Sequence, residues 1–164
     1  MSISTTTSRI SYSTGSSVVA FAFTFPIIDT SDLIVILRTN TTGAEEVLHI
    51  TSDYTVSAVN NDYSSGGTVT TVATYASGYT LLIMRDTPDT QGADLDDSGV
   101  LRLEALEDAL DKLTMLIQQI QTDLNRCIKI PRSDATTITT ELDDSGNRAS
   151  KALTFDSSGN VTVT

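Results

Sequence analysis

Residues 101–127 read LRLEALEDALDKLTMLIQQIQTDLNRC, and few folds accommodate such a segment. Leu103, Leu106, Leu110, Leu113, Ile117, Ile120, Leu124 and Cys127 recur at alternating intervals of three and four. That spacing is a heptad repeat, with Leu103, Leu110, Ile117 and Leu124 at a, and Leu106, Leu113, Ile120 and Cys127 at d. No charge interrupts the seam. Asp96, Asp97 or Ser98 is placed to cap a helix, and Pro131 ends it, so the spacing predicts a coiled-coil helix over 96–130. At about 1.5 Å per residue it is a rod of roughly 45 Å.

Such a stripe must be covered. A chain can lay the helix across its own sheet, but an a/d stripe is narrower than core-facing helices use. The flanks point to self-association: Ala109 and Leu116 at g, with Thr114 and Gln121 at e, are small or uncharged and widen the buried strip. Each seam side chain buried is worth about 1.5–3 kcal/mol, so association outweighs the marginal stability of a small β domain. The expectation is a parallel trimer whose interface is Leu103, Leu106, Leu110, Leu113, Ile117, Ile120, Leu124 and Cys127.

The sequence before the helix has period two. In VVAFAFTFP, Val19, Phe21, Phe23 and Phe25 share one face, and Pro26 ends the run. Leu33 to Leu37 are apolar on both faces, as in a central strand. Asn40 to Gly43 reads as a hairpin turn into EEVLHI. DYTVSAV, a loop from Asn60 to Gly67, TVTTVA, a turn at Ser77-Gly78 and YTLLIMR follow. Short strands about every ten residues indicate an antiparallel sandwich. After Pro131, TTITTEL alternates, Asp144 to Asn147 reads as a turn, and KALTF and VTVT flank the turn Asp156 to Asn160 as a hairpin.

The predicted fold is therefore mainly β with one long helix. Residues 1–16 form an N-terminal arm ordered by a partner, and 17–95 an N-terminal antiparallel β-sandwich. Residues 96–130 are a central trimeric coiled-coil helix, and 131–164 a short C-terminal β segment.

Charge and composition exclude several classes. The net charge is −11 and Lys and Arg occur singly, so neither nucleic acid nor an anionic membrane surface is an expected partner. One cysteine precludes an internal disulfide and suits synthesis in a reducing cytoplasm. No secretory leader or membrane span is legible.

The residues that carry chemistry do not cluster. His49, the single histidine, falls on a predicted strand, and no second His or nearby Cys completes a metal or nucleophile set. Asp94-Leu95-Asp96-Asp97-Ser98-Gly99 opens like a calcium loop, but Ala105 stands where a bidentate Glu is needed. No enzyme, cofactor or metal is expected. A small sugar hydrolase is disfavoured by the lack of a carboxylate constellation. A glycan-binding adhesive trimer is the alternative, with Tyr54, Tyr63, Tyr75 and Tyr79 as its aromatic platforms.

In order along the chain stand FAFTFPIIDTSDLIVIL, SDYTVS, Gly66-Gly67 with TVT, TLLIMRDTPDTQ and EALEDALDKLTMLIQQIQTDLNRCIKIP. Over roughly residues 10 to 132 this series resembles the N-terminal virion-attachment region of tail fibres and tailspikes of short-tailed bacteriophages (podoviruses). The resemblance implies a homotrimeric structural protein of the virion tail, its β domain docked on tail adaptor or nozzle proteins and its helix trimerising below. With only residues 131–164 after the helix, it implies an anchor or adaptor that carries or recruits a separate distal fibre or spike.

Overall fold

The computed structural model describes residues 3–15, 17–59, 62–92 and 103–164. The caps expected at Asp96, Asp97 or Ser98, the whole acidic linker from Asp94 to Gly99, and Asn60 and Asn61 of the expected loop lie outside the described residues. The chain divides into two compact units, Met1–Arg126 and Cys127–Thr164.

The first unit is built on β1 (Arg9–Ser13), β2 (Ala20–Phe23), β3 (Leu33–Thr39), β4 (Glu45–Leu48), β5 (Tyr54–Val59), β6 (Asp62–Thr71) and β7 (Tyr79–Arg85). They form two antiparallel sheets, ordered β1-β7-β3-β4 and β2-β6-β5. The period-two residues meet in one core: Phe21, Phe23 and Phe25 from the first run, Val35 and Leu37 of β3, Tyr54 of β5, Val69 of β6, and Leu81 and Ile83 of β7. Both sheets contribute, as in a sandwich. Phe23 and Phe25 pack with ring centroids 5.1 Å apart. β3 lies between β7 and β4, as its two-faced apolarity predicts, and Gly43 (φ +74°) closes its hairpin to β4.

Three local readings need correction. The segment expected as an N-terminal arm contains β1, which pairs with β7 along its whole length. Its alternating Ile10 and Tyr12 pack against the core, a signal hidden among serines and threonines. The Gly-rich stretch expected as a loop lies within β6. A Cβ on Gly66 (φ +93°) would sit 2.0 Å from the Phe23 carbonyl oxygen, and one on Gly67 would sit 2.5 Å from the Ser57 oxygen. These glycines therefore serve close backbone approach beside the irregularity at Ala58/Val59, rather than a turn. TTITTEL forms no strand, because it reaches β9 with a single backbone bond, the Thr139 oxygen accepting from Val161 N at 3.0 Å.

The helix α1 spans Leu103–Leu124. It stops short of the expected 130. Thr122, Asp123 and Asn125 are weak helix formers, no basic residue in the last turn offsets the dipole, and Arg126 N tightens onto Asp123 O. The second unit holds α2 (Ser145–Arg148), which replaces the expected turn and is capped by the Asp144 carboxylate, and the expected hairpin of β8 (Leu153–Phe155) and β9 (Val161–Val163).

Replacing Gly66 by Ala is expected to cost more than about 3 kcal/mol, through the left-handed backbone and the collision with Phe23. Gly92→Ala, whose added carbon meets nothing within 4 Å, is expected to change thermal stability by less than about 0.5 kcal/mol. Equal melting temperatures for the two variants would contradict this reading of β6.

Candidate functional site

The helix does lie against its own β unit, but not through the stripe that the sequence offers. On the heptad frame, Met115, Lys112, Gln118, Gln119 and Thr122 occupy b, c and f, the side away from the seam. Met115 is fully buried. Lys112 Nζ donates to Thr90 O. Gln118 Nε2 donates to Thr5 O at 2.9 Å, and the Ser8 and Thr122 hydroxyls are 3.1 Å apart. Gln119 accepts from Thr87 N at 3.0 Å and donates to Asp86 Oδ1 at 3.1 Å. The glutamines thus satisfy backbone groups of the segments flanking β1 and β7, as buried polar groups require.

Arg85, the last residue of β7, is the centre of this seat. Its guanidinium is 1% exposed and donates to Pro26 O at 3.1 Å, Met115 O at 3.4 Å and Gln118 Oε1 at 2.7 Å. One side chain therefore joins a sheet, the turn after the phenylalanine strand and the helix. Burial pulls its pKa down, opposed by the negative charge of Asp32. Asp32 is itself buried, and desolvation pushes its carboxyl above the usual 3.8 despite hydrogen bonds from Ile28 and Asp29.

With its back seated, α1 turns the apolar seam outward. Leu103 is 70% exposed, Ile117 65%, Ile120 58%, Leu113 56%, Leu110 55% and Leu124 49%, and Leu106 is half-buried. An ordinary surface helix has the reverse arrangement, and apolar rows of this size on a soluble chain mark interaction sites. Seven of the eight predicted seam residues share this helix. Cys127 does not: it lies beyond the helix end and opens the second unit.

The other candidate residues do not assemble. His49 lies just outside β4, exposed, its amide donating to Asp53 Oδ2 at 2.8 Å. Tyr54 is in the core, and Tyr63, Tyr75 and Tyr79 pack against it, so they form no exposed aromatic platform. Among the described residues no group of His, Cys, Asp and Glu is arranged to hold a metal, and no helix is long and apolar enough to cross a membrane.

No known family model matches the chain. Over 132 residues, 80% of its length, it is 36% identical to the tail spike protein of Salmonella phage epsilon15. The chain is similar to a phage tail spike. The resemblance stated from the FTFP, DYTV and RDTPDTQ segments is borne out. The match spans 12% of that tail spike protein, so the chain corresponds to a small part of its relative.

Arg85→Ala is expected to destabilise the unit by about 3 kcal/mol or more, stranding the Gln118 and Pro26 oxygens and opening a void; a denaturant series measures it. Between pH 3.8 and the raised folded-state pKa of Asp32, the native state binds a proton that the unfolded chain does not. Asp32 therefore adds stability as the pH falls through that window, and the gain is lost as the pH rises through the folded value. In Asp32→Asn this component of the pH profile is expected to vanish, and an unchanged profile would refute the assignment.

Proposed function

We propose that this chain is a structural component of a phage tail: a homotrimeric anchor or adaptor that trimerises through the outward seam of α1. In this reading the β unit docks on tail adaptor or nozzle proteins. The assembly carries or recruits a distal receptor-binding fibre or spike, and no chemistry is assigned to the segment.

One observation carries the reading: the apolar a and d residues from Leu103 to Leu124, the half-buried Leu106 apart, face away from the unit that their own helix is bolted to. Among the described residues little covers the seam beyond the half-buried Leu106, whereas a threefold coiled coil buries a and d fully and the uncharged g residues Ala109 and Leu116 in part. The back of the helix is taken up by the β unit, which leaves a, d, e and g for other copies. Similarity to a tail spike supports the particle context. A rigid seat on the helix places three β units around one axis, and a ring of tail proteins can engage such a head at several points, with the avidity that follows.

The triple variant Leu110→Gln, Leu113→Gln, Ile117→Gln is expected to sediment as a monomer at micromolar concentration while keeping the β-type circular dichroism of the wild-type chain. A trimer in that variant would exclude the seam as the interface. The wild-type chain is further expected to co-purify with tail adaptor proteins of its own particle, and failure to do so at micromolar concentration would contradict the docking role.

A further inference from the structure

The sixteen Asp and Glu of residues 1–126 outnumber six Lys and Arg: Arg9, Arg38, Arg85, Arg102, Lys112 and Arg126. Arg85 is buried and Lys112 engages Thr90 O. The remaining described ones, Arg9, Arg38 and Arg126, all line one groove of about 370 Å³ between the outer face of the four-stranded sheet and the end of α1. Its floor is apolar, made of Ile36 of β3 with Leu82 and Met84 of β7, each half-buried. Two acids share the rim, Glu45 and Asp123, so the groove carries a net charge of +1 within a strongly acidic unit.

The strand register fixes the layout. Arg9 lies across from Met84, Ser11 from Leu82 and Ile36, and Arg38 from Thr80 and Glu45. Arg9 and Arg38 therefore stand at opposite corners of the apolar patch, two strands and four residues apart, or ~17 Å between Cα atoms. An extended peptide places residues i, i+2 and i+4 on one face, with ~13 Å from first to last. The arginine side chains cover the difference.

We infer that this groove binds an extended acidic segment of another protein, with two carboxylate residues flanking an aliphatic one in the order acid-x-aliphatic-x-acid. The carboxylates meet Arg9 and Arg38, Arg126 closes over the chain, and the aliphatic residue covers Ile36 and Leu82. Guanidinium forks suit carboxylate partners, and the net negative charge of the unit disfavours such a segment elsewhere on the described surface. Most of the specificity then comes from this one positive spot.

The inference rests on reading the β unit as the docking module, and the two fail separately. The 164-residue chain, isotopically labelled, is titrated with the end-blocked peptide Glu-Thr-Leu-Thr-Glu and followed by amide chemical shifts. Shifts are expected at Ser11, Ile36, Thr80 and Leu82, with affinity falling as salt is raised. Arg9→Glu with Arg38→Glu is expected to bind that peptide about tenfold or more weakly, and to bind Lys-Thr-Leu-Thr-Lys instead. The swap separates lost charge from lost folding. Absence of shifts in the wild-type chain, shifts confined to other surfaces, or equal binding by the variant would overturn the inference. Peptide binding by a chain that captures no tail protein would leave the groove standing and count against the attachment role.

Discussion

A guanidinium held at 1% exposure decides how this molecule is put together. A buried charge is costly unless its donors are satisfied. Arg85 meets that demand at its two terminal nitrogens, where the Pro26 carbonyl, the Met115 carbonyl and the Gln118 amide oxygen converge, and leaves Nε buried without a partner. Those groups belong to the turn that ends the phenylalanine strand and to the helix. The arginine therefore forces the helix against the sheet end in one rotational setting, and the Gln119 bonds to Asp86 and Thr87 lock that setting.

The setting has a consequence for association. A helix with one polar and one apolar side ordinarily turns the apolar side inward. Here the polar side is used up internally, by side-chain hydrogen bonds around the one fully buried apolar residue of the helix, Met115, and the leucine and isoleucine side is left for partners. Neither half of the arrangement works alone. Without the seat, the helix could roll its stripe onto the sheet. Without the stripe, a seated helix would be a mere brace. Fold and proposed assembly thus share one cause.

The legible parts of the fold are those written in apolar periodicity. Period two found the phenylalanine strand, a run apolar on both faces found β3, the turn at Ser77-Gly78 marked the start of β7, and the heptad found α1. The seat was not legible. Gln118, Gln119 and Thr122 look like an ordinary solvated face, and an arginine ending YTLLIMR looks like a strand exit. The one hint is a helix face rich in amides and poor in charge. Gly66 and Gly67 misled because a glycine pair has the same spelling in a turn and in a strand that passes under a neighbouring carbonyl. TTITTEL misled because alternation predicts a strand only if an edge exists to receive it. Of the seam, Leu103 to Leu124 were correctly placed on one helix, whereas Cys127 fell past an end set by Asp123 and Asn125.

The central claim is that the outward ridge is a contact between identical chains. Light-scattering mass of the unmodified chain across a dilution series tests it most directly. Three times the mass of a single chain, maintained into the low micromolar range, is the predicted result; one chain mass throughout the series would contradict it.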